Sequence, residues 1–236
     1  MSFSRTVVCL AKSRKHGGYC IAVKTASRSG GSYWIRPTGS FPGGALEDRE
    51  IYLDDGTSAN PLDLLKIPLR EKDNGIAFQT ENYRTVPEIP WKKEGICPFE
   101  KLGELADHPE TLWENGHSSG GGLNDFVPAS MLRGTAQSIF LIRPLTLRLE
   151  TEAPREPGCP LSVRAVFIYR GIGYKLKVTD IRFRNMERRE IESLNVRGGF
   201  LTVSLGLPFM PEGRHGNGPE CYKLAAAVLL PRFFRT

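Results

Sequence analysis

Short runs of β-branched and apolar residues, each soon stopped by glycine or proline, constrain this chain more than any other feature of it. Residues 5–11 (RTVVCLA) are the first such run. Residues 19–24 (YCIAVK) follow after Gly17 and Gly18, which suit a tight connection. Residues 32–37 (SYWIRP) are again reached through glycines, Gly30 and Gly31. Residues 64–69 (LLKIPL) make a fourth strand, and Pro68 predicts that it lies at an edge or ends there. Short strands spaced by turn residues are the pattern of a small barrel or sandwich.

Between residues 87 and 134 the period-two alternation fades. Residues 98–106 (PFEKLGELA) and 109–113 (PETLW) read as short helices, each entered at a proline, which the first helical turn accepts. Residues 115–125 (NGHSSGGGLND) read as an exposed loop. Their glycine triplet is not a phosphate-binding P-loop, since no strand leads in and no Lys-Ser/Thr follows. From residue 137 strands return: 138–142, 145–149, 161–169 (LSVRAVFIY) and 174–179 (YKLKVT), the last two flanking the turn Arg170-Gly171-Ile172-Gly173. Tyr174, Leu176 and Val178 alternate with Lys175 and Lys177, so one face is apolar and the other cationic. Residues 200–205 and 224–230 complete the set, with a Gly/Pro loop over 208–219. The expected fold is mainly β. It has small barrels over residues 1–86 and 137–236, with a short helical and Gly-rich acidic insert over 87–136.

Charge follows the same division. The chain has 32 Lys+Arg against 26 Asp+Glu, a formal charge of +6. Residues 1–40 hold seven of those cations and no acid, residues 61–135 have a net of −4, and residues 136–236 a net of +7. Placement of this kind argues about partners rather than fold. A hydrophobic content of 40% excludes wholesale disorder. No apolar run approaches the roughly 18 residues of a spanning helix, so no membrane partner is expected. The run Val7-Val8-Cys9-Leu10-Ala11 is too short for a secretory signal, and five scattered cysteines without a C-x-x-C pair predict reduced thiols in the cytoplasm.

The run Lys12-Ser13-Arg14-Lys15-His16-Gly17-Gly18 places cationic donors beside flexible backbone, which phosphate contacts need; a solvated turn is the alternative. Lys24, Trp34 and Arg36 would add a stacking surface among cations if they share a face, Trp34 and Arg36 being two apart on one strand. Trp34 fits a core position equally well. A second set, Arg164, Tyr169, Arg170, Tyr174, Lys175, Lys177, Arg182 and Arg184, lies mostly on one hairpin and its exit. It reads either as a binding surface or as the solvated face of an amphipathic sheet.

Signals for catalysis and metal binding are weaker. Asn115-Gly116-His117 with Asn124-Asp125 is the best catalytic candidate, because His117 sits in a Gly-rich loop where a base could be presented. Cys9, His16, Cys20, His215 and Cys221 lack the close ligand pairs of structural zinc, and Cys9 and Cys20 read as small core hydrophobes. No cofactor and no metal is expected.

The opening stretch from Cys9 to Gly18, with Tyr33-Trp34-Ile35-Arg36-Pro37 after it, resembles the bacterial dual OB-containing domain proteins. Residues 174–180 (YKLKVTD), the late run Cys221-Tyr222-Lys223-Leu224-Ala225-Ala226, and Asn115-Gly116-His117 with Asn124-Asp125 fit the same family. The resemblance implies two OB-type barrels and carries no catalytic residue. OB barrels commonly bind oligonucleotides on one sheet face and its bordering loops. The expected function is therefore non-catalytic binding of single-stranded DNA or RNA, within a bacterial defence or nucleic-acid-processing system. Lys12, Arg14, Lys15, His16, Lys24, Arg36, Arg170, Lys175, Lys177 and Lys223 would supply cations, with Trp34, Tyr169 and Tyr174 as rings. Two alternatives are an enzyme acting on a nucleotide or nucleic acid through the His117/Asp125 loop, and an adaptor whose acidic insert docks a larger protein.

Overall fold

The β-branched N-terminal run forms β1 (Phe3–Lys15), which turns back at Gly17, φ +86°, into β2 (Gly18–Thr25). The computed structural model describes residues 2–15, 17–25, 31–153, 161–210 and 218–234. These fall into two compact units: Met1–Leu105 with Ala136–Ile139, and Ala106–Thr135 with Phe140–Thr236. Residues 87–136 are thus divided between the units.

In the first unit β2 pairs with β3 (Trp34–Thr38), and β4 (Asp63–Lys72) pairs antiparallel with β5 (Asn82–Thr85). A parallel pairing of β3 with β5 joins the two halves. Antiparallel pairing of β1 with β4, Phe3 opposite Leu69 through Val8 opposite Leu64, then closes the five strands into a barrel. Closure removes exposed sheet edges. A sixth strand, β6 (Lys92–Ile96), pairs with β4 outside the ring. Val7, Ile21, Ile35, Leu65, Ile67 and Trp91 fill the interior. Cys9 is fully enclosed there, as a small core residue should be.

Pro68 neither ends β4 nor marks an edge. It lies within the strand, opposite Ser4, between the stretch paired with β6 (Asp63 to Lys66) and the stretch paired with β5 (from Leu69). Its missing N–H therefore falls where β4 changes partners. Gly18 is needed for close approach rather than for turning. A Cβ there would lie 2.5 Å from the Leu46 carbonyl oxygen, where Tyr19 and Leu46 exchange two backbone hydrogen bonds of 2.8 Å.

The second unit carries a seven-stranded sheet. Its strands are β7 (Phe126–Pro128), β8 (Ile139–Ile142), β9 (Thr146–Glu152), β10 (Ser162–Tyr169), β11 (Ile172–Val178), β12 (Phe200–Phe209) and β13 (Glu220–Leu229). The order is β8-β12-β13-β11-β10-β9, with β7 also on β13 and β11 parallel to β13. The expected hairpin forms with Tyr169 opposite Ile172, so the turn is Arg170-Gly171. Both take positive φ, 47° and 79°, the requirement of the tight turn that matches strand twist. Tyr174, Leu176 and Val178 point into the core, as their alternation requires.

Two expectations for the middle segment fare differently. Phe99–Lys101 and α1 (Leu102–Leu105) form the first short helix. Residues 109–113 form none: Trp113 takes φ +57°, and Leu112 is drawn into the core with its N–H 3.4 Å from the Tyr174 hydroxyl. Among the described residues, no helix is long and apolar enough to cross a membrane.

Candidate nucleic-acid interface

Arg14 and Tyr19 are register partners across the β1–β2 hairpin, and the Arg14 guanidinium carbon lies 4.3 Å from the Tyr19 ring centroid. Arg14 is exposed and donates to the Gly17 carbonyl at 2.9 Å. Lys12 Nζ lies 5.2 Å from the same ring and donates to Ser58 Oγ at 2.6 Å. Burial lowers the Lys12 pKa, against the opposing pull of negative charge at Asp48 and Asp63. Burial and a hydrogen bond with Asp48 raise that of Tyr19. Among the described residues neither Lys12 nor Arg14 forms an ion pair with a carboxylate; Lys12 is 5% exposed, so Arg14 is the cation of the two that faces solvent. Lys15 continues β1 opposite Gly18, while His16 lies outside the described residues.

The neighbouring expectation needs correction. Lys24, Trp34 and Arg36 do come together in the first unit, but all three are enclosed, with 3–4% exposure. Lys24 Nζ donates to the Leu105 carbonyl at 2.7 Å and sits 5.3 Å from the Trp34 ring. Arg36 pairs with Glu81 at 3.3 Å and donates to Ser138 Oγ at 3.0 Å, while Ser138 in turn donates to Glu81. These side chains hold the barrel together and offer no open ring or phosphate contact.

In the second unit the hairpin cations meet acids from β9. Lys175 Nζ is 3.0 Å from Glu150 and 3.5 Å from Glu152, and Arg164 is 3.1 Å from Glu152. Burial disfavours the charged Glu152, yet Arg164 and Lys175 outweigh it and lower its pKa. Tyr174 is fully buried and stacked 5.2 Å from Phe167, and Tyr169 donates to the Pro109 carbonyl at 2.9 Å. Neither ring is presented for stacking. Arg182 is held by Asp180 at 2.6 Å. Arg170, Lys177 and Arg184 remain on the surface, Arg170 donating to the His108 carbonyl at 3.4 Å.

The 115–125 loop is tied down rather than freely exposed. Asp125 is 1% exposed and accepts from Ser119 N at 2.7 Å and Ser119 Oγ at 2.6 Å. Gly122 leaves it room, since a Cβ there would lie 1.9 Å from Asp125 Oδ2. Asn124 accepts from Gly116 N at 2.7 Å and donates to the Gly173 carbonyl at 2.9 Å. His117 is half-buried, its ring 5.5 Å from that of Phe126. Lys223 is completely enclosed and donates to the Glu114 carbonyl at 2.6 Å and Asn115 Oδ1 at 3.0 Å. Burial brings its pKa down to about 7, against the opposing charges of Asp125 and Glu114. Lys223 is therefore a clamp on the loop and makes no contact with solvent.

Sequence reading missed a cluster at the other end of β1. The Arg5 guanidinium carbon lies 4.6 Å from the Phe3 ring centroid, and Arg5 Nε donates to the Tyr33 hydroxyl at 3.0 Å. Phe3 meets Tyr83 edge-on at 5.9 Å, and Lys72 Nζ lies 5.7 Å from the Tyr83 ring. Tyr33 is 45% exposed. Burial and the neighbouring Tyr33 raise the Tyr83 pKa, against Arg5. These five residues come from four separate stretches of sequence; the β1–β4 and β4–β5 pairings, and the hydrogen bonds of Tyr33 to Thr25 on β2, bring them together.

A closed five-stranded barrel joined in sequence to a second, seven-stranded β unit is the architecture of a dual OB-type protein. The chain belongs to the dual OB-containing domain family, whose model matches residues 5–228. No curated protein and no solved structure matches it.

Proposed function

We propose that this protein binds single-stranded nucleic acid, DNA or RNA, on its first barrel and performs no catalysis of its own. The observation that carries the reading is exposed Arg14 lying over the Tyr19 ring, with buried Lys12 close to the same ring, on a hairpin of a closed barrel of OB type. An exposed guanidinium of this kind meets phosphate. Lys15 extends the same hairpin edge. In the second unit Arg170 and Lys177 are exposed cations of the same kind. Service in a bacterial defence or nucleic-acid-processing system rests on the family resemblance alone. Asp125 is fully engaged with Ser119, which favours a structural role for the His117/Asp125 loop over an enzymatic one.

The test is a binding titration of single-stranded DNA and RNA at two salt concentrations, on the native protein and on Arg14→Ala and Lys15→Ala variants. Binding that weakens with salt, and weakens further in both variants, supports the reading. No binding of either polymer at low salt overturns it.

A further inference from the structure

We infer that Phe3, Arg5, Tyr33, Lys72 and Tyr83 form a nucleobase-stacking platform, a second ligand site on the first barrel separate from the Arg14 site. The inference rests on the nucleic-acid reading above and adds to it where unpaired bases are held. The cluster has the three properties that base stacking needs. It presents planar surfaces: Tyr33 is 45% exposed, and the guanidinium of exposed Arg5 lies over Phe3, 4.6 Å from the ring centroid. Aromatic rings and arginine planes are the side chains on which unstacked bases pack.

It also holds those planes still. The Arg5–Tyr33 hydrogen bond fixes one against the other. Tyr33 is anchored by two backbone links to Thr25, its N–H donating to Thr25 Oγ1 and its carbonyl accepting from Thr25 N, both at 3.0 Å. Phe3 and Tyr83 pack down onto the barrel core, so the base of the platform is rigid. A preordered stacking surface loses less entropy when it binds.

Finally it carries charge for the backbone that links the bases. Among the described residues, neither Arg5 nor Lys72 forms an ion pair with a carboxylate. An acidic peptide would satisfy these cations but would have no use for the rings. A base linked to phosphate uses both.

The experiment compares an oligothymidylate with an abasic oligonucleotide of equal length, which keeps the phosphates and lacks the bases. Both are titrated against the native protein, Tyr33→Ala, Tyr33→Phe and Arg14→Ala, with polyglutamate as competitor. Tyr33 is a surface residue, so its loss leaves the barrel folded. The platform predicts that Tyr33→Ala weakens oligothymidylate binding roughly ten- to hundredfold and leaves abasic binding unchanged. Tyr33→Phe, which keeps the ring, retains most of the affinity. Arg14→Ala should weaken both ligands. Equal binding of the two ligands by the native protein, with no effect of Tyr33→Ala, overturns the platform while the phosphate reading stands. Equal competition by polyglutamate, with equal binding of the two oligonucleotides, reduces the cluster to a charge patch and overturns it too. Failure of both oligonucleotides to bind overturns the nucleic-acid reading and this inference together.

Discussion

The guanidinium of Arg14 lies over the ring of Tyr19, 4.3 Å from its centroid, because β1 and β2 place the two residues opposite each other. Lys12 reaches the same ring from further along β1. Arg14 is held by the ring quadrupole and by one hydrogen bond to Gly17, and keeps its other N–H donors for an anion. Replacing Arg14 by alanine should therefore leave stability nearly unchanged. Measured by fluorescence anisotropy, single-strand affinity should fall, and the slope of log K against log salt should flatten by about 0.7 for the one phosphate lost. An unchanged slope would remove Arg14 from the interface.

Arg36 should behave in the opposite way. It and Glu81 are each 4% exposed and share Ser138 as a common neighbour. Removing one member of a buried pair strands the other charge, so Arg36→Ala should cost about 3–5 kcal/mol of stability in urea titration. The salt slope of the remaining folded protein should match the native one. A flattened slope with native stability would return Arg36 to the phosphate contacts.

The contrast between Arg14 and Arg36 shows what sequence could and could not say. Strand spacing, the Arg170-Gly171 turn and the alternation around Lys175 are local properties, and they were legible. Whether Trp34 faces solvent or core was not, because β3 is buried along its whole length and period-two alternation has no exposed side to mark. The charge of the second-unit hairpin misled for a related reason. Glu150 and Glu152 lie on the strand paired with Arg164, and a segment sum cannot show that β9 and β10 bring them into contact. The Phe3–Tyr83 cluster was invisible because closure of the barrel creates it.

Lys223 makes stability depend on pH. Its folded pKa is about 7, against 10.5 for an ordinary lysine, so between those values the unfolded chain binds the extra proton. Stability should therefore rise with pH from about neutrality upward and lose this contribution as pH falls toward the folded pKa. Lys12, also lowered by burial, adds in the same direction. Cys221, two residues away, acts against both at higher pH, since burial pushes its thiol from 9.0 up to about 11 and the unfolded thiol ionises first. The window in which Lys223 dominates thus lies between pH 7 and 9. Chemical denaturation across it should show a rising stability that flattens in Lys223→Met. Equal slopes in the two proteins would mean that Lys223 keeps its proton in the folded state.

Oligonucleotide length should matter in a particular way. Phe3 and Arg14 stand near opposite ends of β1, and the eleven residue steps between them span at most about 36 Å at roughly 3.3 Å each, less where the strand bends at the Cys9–Ala11 bulge. A mononucleotide can occupy the Tyr33 platform or the Arg14 site but cannot bridge them. A chain long enough to reach both turns the second contact into an intramolecular one, which raises affinity without new chemistry. A series of oligothymidylates should therefore show a step in affinity with length, beyond the gradual gain from added charge. Either Tyr33→Ala or Arg14→Ala alone should remove that step, because each leaves only one end of β1 able to bind. A smooth length dependence, equal in the native protein and both variants, would show that the two ends act separately.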